Sequence, residues 1–228
     1  MTSRRVRVQR HSYIGILAAS IIVSTVAIAE VPDPNPERFA GSIETFAVWD
    51  SKNSFAEDAI LFVGSSSVVY WPTAVAFPSK PIINRGFGGS DLSDVIHFYD
   101  QVIKPYAPVK IFLYAGDNDI DRGKTAEQVF EDYRELVGML QSDFPRTKLI
   151  FISIKPSKQR WEKWPIMAAA NRMVKEYAEE QPNLGYADLA MPLLDDTGVP
   201  KDVFIDDGLH LNERGYQLWQ IALAPFLE

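Results

Sequence analysis

The sequence predicts a single α/β domain in which about five parallel strands form a central layer between two layers of helices. Short, continuously apolar runs alternate with longer stretches of helical periodicity. The apolar runs also lack the polar alternation typical of strands that have one face in water. Strands that alternate with helices favour a parallel sheet covered on both faces. We therefore predict a three-layer α/β/α sandwich over residues 56–228 of the 228-residue chain.

The predicted elements follow one another in order along this domain. Continuous apolarity predicts strands at 59–63, 81–84, 109–114 and 149–154, with a weaker fifth strand at 185–188. Helical periodicity predicts helices at 91–103, 125–142, 163–180 and 212–226. No internal repeat or change of composition indicates a second domain.

The segment before the domain, residues 30–55, is predicted to be a proline-rich lead-in followed by a short helix. Three prolines between residues 32 and 36 cannot continue a helix and favour an extended chain. Helical spacing then predicts a short amphipathic helix that covers one face of the core with Phe39, Ile43, Phe46 and Trp49.

The first 29 residues have the pattern of a cleaved secretory signal peptide. Four arginines without an acidic residue precede an uncharged run from Ser12 to Ala29, and small residues at Ala27 and Ala29 precede a cut ahead of Glu30. This pattern predicts a periplasmic or secreted protein. The alternative is a membrane anchor formed by residues 12–29, because this run approaches the roughly 20 residues that span a bilayer.

The composition limits the chemistry that the protein can perform. The chain has no cysteine, which excludes a thiol nucleophile, a disulfide framework and a cysteine-ligated zinc. The formal charge of −7 argues against a nucleic-acid partner, which requires a basic face. The chain has three histidines, His11, His97 and His210, and signal-peptide cleavage would remove the first. An imidazole base must therefore be His97 or His210 in the mature chain.

Functional residues in such a sheet collect on loops at the carboxyl ends of the strands. The first loop, residues 64–67, reads Gly-Ser-Ser-Ser and can present a serine oxygen beside the free N–H groups of a helix start, although serine there is also a common helix cap. The second loop, residues 84–90, has three glycines in four positions, which indicates positive φ or a close approach. A dinucleotide-binding loop is disfavoured, since it should open the first helix with a different spacing.

The third and fourth loops carry the remaining polar groups. The third has Asn118 between Asp117 and Asp119, and these two aspartates together with Asp121 suggest a calcium-binding loop. However, Arg122 and Gln128 occupy the positions where such a loop has glycine and glutamate. In the fourth loop, residues 206–212, a carboxylate three residues before a histidine can fix the ring tautomer, although the pair alone is equally compatible with a structural role. Together the four loops hold a serine, N–H and amide donors, and an Asp-x-x-His pair, the groups that acyl transfer from an ester requires.

These four blocks, in this order, resemble the SGNH hydrolases of the GDSL esterase and lipase superfamily from about Ala59 to Tyr216. The resemblance implies a flavodoxin-like sheet, a secreted or periplasmic esterase, and no metal or organic cofactor. It also implies a site whose residues are the nucleophile Ser66, its partners His210 and Asp207, and the oxyanion donors Ser66, Gly89 and Asn118. The sequence departs from the family's name motif at Ser65 and Ser67, where the family has Asp and Leu.

The hypothesis is therefore a serine esterase that forms an acyl-enzyme on Ser66, with His210 as the base and Asp207 orienting it. The expected substrate is a small acyl or acetyl ester, an acylated carbohydrate or a lysophospholipid. We expect no nucleic-acid partner, and membrane contact only through an uncleaved N-terminal segment. The sequence does not indicate an oligomeric state. Two alternatives remain open: a non-catalytic envelope protein that binds glycan or lipid, and a carbohydrate O-acyltransferase.

Five further side chains receive structural or substrate roles. His97 lies inside a predicted helix without a carboxylate motif to orient it, and we expect it to be structural. We expect Trp71 to pack in the core, and Arg85 to form a surface salt bridge rather than to contact an acidic group of a substrate. Trp161 and Trp164 are candidates for the wall of an acyl or sugar pocket, although aromatic residues are more often part of a core.

Overall fold

Five parallel strands form one central sheet in residues 31–228, the part of the chain that a computed structural model describes. The strands are β1 (Ile60–Gly64), β2 (Ile82–Gly86), β3 (Lys110–Tyr114), β4 (Lys148–Ile152) and β5 (Leu184–Ala187). Their order is β2-β1-β3-β4-β5, and every neighbouring pair is parallel. No strand boundary differs from its prediction by more than two residues. The predicted signal peptide at 1–29 and the alternative anchor at 12–29 lie outside the described residues.

Helices cover both faces of the sheet, which confirms the predicted three-layer α/β fold. They are α1 (Ala40–Asp50), α2 (Ser66–Val69), α3 (Thr73–Ala76), α4 (Leu92–His97), α5 (Tyr99–Val102), α6 (Asp117–Asp121), α7 (Ala126–Asp143), α8 (Trp164–Glu179) and α9 (Glu213–Leu223). Alternate strand residues face opposite layers, as strand geometry requires. Leu61 and Val63 belong to the core under α1, α4, α5, α7 and α8, whereas Ile60 and Phe62 belong to the core under α2 and α9. No helix within residues 31–228 is long and apolar enough to cross a membrane.

The strand order places the first and third loops side by side. The chain passes from β1 to β2 on one side of the sheet and then crosses to β3 on the other, so the connections diverge between β1 and β3. In open α/β sheets, ligands bind at the carboxyl ends of the strands at such a point. Ser66 follows β1 and Asn118 follows β3, so both lie at this position.

Side-chain caps determine where two of the long helices begin. Thr125 and Gln128 form a capping box at α7, in which each side chain accepts the backbone N–H of the other residue, at 3.2 and 3.0 Å. Asn212 caps α9 by accepting the N–H of Gly215 at 3.1 Å. This cap starts α9 directly after the loop that carries His210.

The predicted helix at 91–103 is divided into α4 and α5 at Phe98. The backbone of Phe98 has φ −95° and ψ 16°, outside the regular helical range. Its buried ring packs edge-on to Phe87, with the ring centroids 6.2 Å apart. The prediction used only the local spacing of apolar residues, which carries no information about this tertiary contact.

Helix α1 confirms the short helix predicted before the domain, but not all of its buried face. Phe39, Ile43 and Phe46 are buried, whereas Trp49 is 49% exposed, contrary to the prediction. Asp50, the last residue of α1, points toward the domain instead and pairs with Arg85. The prediction of a surface salt bridge for Arg85 was therefore wrong in its location, because that side chain is buried.

Gly64 at the end of β1 allows the sheet to pair closely just before Ser66. Its φ is +129°, and a Cβ there would collide with the backbone of Tyr114, its partner on β3. Any other residue must therefore distort the end of β1 and the turn that follows.

We expect Gly64→Ala to lower the free energy of unfolding by at least about 2 kcal/mol, because strain at positive φ adds to steric overlap. Gly138→Ala is the matched control, since its Cβ would meet no atom within 4 Å in α7. That change should raise stability by roughly 0.5–1 kcal/mol. Urea unfolding of both variants measures these values. Equal effects of the two substitutions would contradict the assignment of strain to Gly64.

Candidate active site

The turn after β1 presents one serine hydroxyl to His210. Ser66 is the first residue of α2 and is partly exposed, whereas Ser65 and Ser67 on either side are fully buried. The Oγ atom of Ser66 lies 2.8 Å from Nε2 of His210, although the two residues are far apart in sequence. The geometry therefore distinguishes Ser66 from its two serine neighbours.

Asp207 continues this hydrogen-bonded chain on the other side of the imidazole ring. Its Oδ2 lies 2.5 Å from Nδ1 of His210, and its Oδ1 accepts the backbone N–H groups of Leu209 and His210 at 2.8 and 2.9 Å. Desolvation acts to raise the pKa of Asp207, but the hydrogen bonds from His210 and from these N–H groups outweigh it and lower the pKa to about 2. The carboxylate is therefore charged at neutral pH and holds the proton of the ring on Nδ1.

Tyr70 supports the imidazole ring from a different direction. The two rings pack edge to face, with centroids 4.9 Å apart and an interplanar angle of 88°. Tyr70 ends α2, so the segment that carries Ser66 also contacts the ring to which Ser66 is hydrogen-bonded. Sequence reasoning assigned no role to Tyr70.

The glycine loop after β2 lies directly against Ser66. A Cβ on Gly88 would stand 3.6 Å from the Cβ of Ser66, so the two backbones are in close contact. Gly89 has φ +86°, in the left-handed region, and a Cβ there would meet no atom within 4 Å. The backbone of Gly89 therefore borders open space beside the serine.

The side chain of Asn118 is held in a defined orientation beside this loop. Its Nδ2 donates to the carbonyl of Ser90 at 3.0 Å, and its Oδ1 accepts from Arg160 at 3.0 Å. These two partners fix which end of the amide carries the nitrogen. An amide nitrogen has two N–H groups, and Nδ2 makes no other hydrogen bond within residues 31–228. One donor therefore remains for a ligand.

Two further hydrogen bonds tie the α6 region to the glycine loop and to the start of α4. Arg122, at the end of α6, donates to the carbonyl of Gly89 at 2.9 Å. The N–H of Leu92 donates to the buried carboxyl of Asp119 at 3.1 Å. Burial, together with neighbouring Asp91, raises the pKa of Asp119 to about 7, against the opposing effect of Lys124. The glycine loop and Asn118 are thus positioned as one unit.

A buried cluster of charged side chains lies next to Asn118. Asp117 Oδ2 lies 3.4 Å from Lys155 Nζ and 3.4 Å from Arg160. Burial lowers the pKa of Lys155, although Asp117 opposes this effect. Burial also acts to raise the pKa of Asp117, but Lys155 and Arg160 hold it below its usual range. The ion pairs fix the residue directly before Asn118.

The three aspartates that suggested a calcium site are each engaged by other groups of the protein. Asp117 pairs with Lys155, Asp119 accepts from Leu92, and Asp121 pairs with Arg160 at 3.1 Å. Within residues 31–228 no group of three or more histidines and acidic residues is arranged to hold a metal ion.

The loop after β4 lies between α6 and the His210 loop and contacts both. The N–H of Gln159 donates to the carbonyl of Gly208 at 3.0 Å, and the next residue, Arg160, contacts Asn118. The predicted site residues are therefore linked in a ring of contacts. The ring runs from Ser66 through the glycine loop, Asn118 and the β4 loop, and returns through His210.

Other candidates from the sequence lie away from this ring. His97 contacts Glu37, with Nε2 3.6 Å from the carboxylate, and Trp71 is buried in the core. Trp161 and Trp164 stack on each other at 6.4 Å, next to Arg160. Sequence reasoning missed Arg160, which follows no motif and reaches the site only because its loop folds back across the sheet edge.

One protein family and several solved structures are similar to this chain. The GDSL-like lipase/acylhydrolase family matches residues 62–218, more than half of the chain. A Streptococcus pneumonia structure named as a candidate platelet activating factor is 26% identical, with a TM-score of 0.75, and the match covers 83% of this chain and 92% of that one. Comparison with curated proteins finds no significant match.

Two more distant structures share the fold. A GDSL-like lipase from Bacteroides thetaiotaomicron is 16% identical with a TM-score of 0.69, covering 81% of this chain and 96% of that one. An acetylxylan esterase from Geobacillus stearothermophilus is 15% identical with a TM-score of 0.61, covering 76% and 95%.

The hydrogen bonds at Asp207 predict its titration. We expect NMR of the carboxyl carbon to give a pKa of about 2, and His210→Ala to move it part of the way to the usual value of 3.8. The shift is partial because the backbone N–H donors remain. Asp195, whose partners are Thr197 and Val199, should titrate identically in both proteins. A wild-type pKa of Asp207 near 3.8 would contradict the described geometry.

Proposed function

Since this chain belongs to the GDSL-like lipase/acylhydrolase family and is an ester-bond hydrolase, we propose that it works as a serine esterase through a covalent acyl-enzyme. Ser66 is the nucleophile, His210 the general base and acid, and Asp207 the residue that orients His210. The observation that carries this proposal is the continuous hydrogen-bonded chain from Ser66 through His210 to Asp207, at 2.8 and 2.5 Å.

The first half of the reaction forms the acyl-enzyme. Ser66 Oγ attacks the ester carbonyl carbon as its proton passes to His210 Nε2. When the tetrahedral intermediate collapses, the bond to the alcohol oxygen breaks, and His210 donates the same proton to that oxygen. The alcohol leaves, and the acyl group remains on Ser66.

The second half repeats these steps with water. Water gives a proton to His210 as it attacks the acyl carbon, and Ser66 leaves with that proton when the acid is released. Asp207 stabilises the imidazolium ion in both halves because its low pKa keeps it charged. The backbone N–H groups of Ser66 and Gly89, and the free N–H of Asn118, stabilise the negative oxygen.

The proposal also covers the class of substrate. We propose a small acyl or acetyl ester, an acylated carbohydrate or a lysophospholipid, acted on without a cofactor. An acetylxylan esterase is among the similar structures, so acetyl esters are the first substrates to test. The basic and apolar pattern of residues 1–29 supports export of the protein to the periplasm or the medium, with residues 56–228 as the esterase domain.

Activity toward p-nitrophenyl acetate tests the proposal. Ser66→Ala and His210→Ala should each lower kcat by at least about 10⁴-fold, because these side chains act as one unit. Ser65→Ala and His97→Ala are the matched controls and should retain activity, since neither side chain contacts the ring of His210. Unchanged activity in Ser66→Ala, or no activity in the wild type, would refute the assignment and favour a binding protein.

The oxyanion role of Asn118 has a separate signature. Asn118→Ala should lower kcat about 10²- to 10³-fold with a small change in KM, because the lost N–H acts mainly in the transition state. Asn183→Ala is the control, since that amide donates to the carbonyl of Pro145 at the opposite end of the sheet. Steady-state kinetics with one ester gives both values. A loss in KM alone would assign Asn118 to substrate binding instead.

A further inference from the structure

A groove of about 600 Å³ opens beside His210, on the side away from the oxyanion donors. Its floor contains Trp71, Leu211 and Tyr216, all buried. Its walls carry Tyr70, Val75 and Ile205, which are 58%, 79% and 49% exposed. Exposed apolar side chains that converge on one concave surface are typical of a binding site rather than of ordinary surface.

The position of the groove decides which half of an ester it can receive. In the proposed mechanism the carbonyl oxygen faces Gly89 and Asn118, and the alcohol oxygen must lie within hydrogen-bonding reach of His210 Nε2 to receive its proton. The group attached to the alcohol oxygen therefore leaves the reaction centre on the His210 side. His210 lines the groove, whereas Gly89 and Asn118 do not.

The side chains of the groove define the chemistry of that group. Apart from His210, the one acidic or basic side chain at its rim is that of Glu213, and the amides of Gln217 and Gln220 complete the edge. No lysine or arginine belongs to this lining, which is drawn from residues 31–228. An anionic alcohol, such as one that bears a phosphate, would meet an apolar wall and a carboxylate. An uncharged apolar or aromatic alcohol fits both the apolar surface and the edge of Tyr70.

We propose that this groove is the alcohol-binding subsite and that it selects esters of uncharged apolar or aromatic alcohols. The proposal rests on the esterase function proposed for Ser66 and deepens it. The part of the Tyr70 ring that is not packed against His210 contacts the alcohol. Val75 and Ile205 cover the outer part of that alcohol. The inference narrows the substrate classes of the proposed function to small acyl or acetyl esters of such alcohols. Esters of sugar hydroxyls, and esters of the phosphate-bearing alcohols found in lysophospholipids, are correspondingly poor substrates.

Two ester series separate the alcohol side from the acyl side. The first series keeps the acetyl group and varies the alcohol, in methyl, butyl and hexyl acetate, whose alcohols have similar acidity. The second holds the alcohol constant as p-nitrophenyl acetate, butyrate and hexanoate. In the wild type, kcat/KM should rise along the acetate series by about threefold to fourfold for each CH2 group that the groove buries.

The double variant Val75→Gln/Ile205→Gln tests the groove without adding charge near His210. It should lower the hexyl-to-methyl acetate ratio of kcat/KM at least about tenfold, since the apolar walls are lost. It should leave the trend of the p-nitrophenyl series unchanged. Ile221→Gln is the matched control, because Ile221 is 72% exposed on α9 and does not line the groove.

The outcomes distinguish the two proposals. If the variant alters the trend of the acyl series instead, the groove holds the acyl chain and the inference is wrong. An unchanged hexyl-to-methyl ratio in the variant, or equal losses for every ester, would also overturn it. Full activity in Ser66→Ala toward the same esters would instead mark a failure of the proposed function.

Discussion

The packing of α9 against the turn after β1 is the interaction on which the rest of the site depends. Trp71 stacks on Tyr216 with ring centroids 5.9 Å apart and contacts Trp219 at 5.3 Å. The hydroxyl of Tyr216 also donates to the carbonyl of Ser67 at 3.0 Å. These contacts join the last helix of the chain to the first strand, and they bring His210 to Ser66. Fully buried aromatic clusters of this kind are among the more stabilising features of a core.

Rigidity on the opposite side of the site comes from charge rather than from apolar packing. Arg160 and Lys155 surround Asp117, and Arg122 reaches the carbonyl of Gly89. In the proposed mechanism these groups do not react, but they hold the N–H donors where negative charge develops. Preorganised donors stabilise a transition state because they need no rearrangement when the charge appears. These cations therefore connect the stability of the fold to its chemistry.

Sequence patterns predicted the sheet, and the residues of the Ser66–His210–Asp207 hydrogen-bonded chain, better than the residues that support them. Strands β1, β3 and β4 are buried on both faces from their second residue onward, so their continuous apolar runs located them closely. Ser66, Asp207 and His210 lie in short local motifs, and the structure brings them together. Arg160 and Tyr70 follow no motif, since their contacts form only when separate loops fold against one another.

Trp49 was predicted to be buried but is exposed, because helical spacing alone does not show where along a helix the contacts with the core end. The short helix α6 was interpreted as a loop, since five residues carry too little periodicity.

The central claim is that the hydroxyl of Ser66, activated by His210, is the reacting group. Peptide mapping by mass spectrometry after treatment with a fluorophosphonate tests it most directly, because the reagent bonds covalently to an activated serine oxygen. We predict one adduct, on Ser66, that is lost in His210→Ala and retained in His97→Ala. An adduct on Ser65 or Ser67, or labelling of Ser66 that persists without His210, would contradict the account.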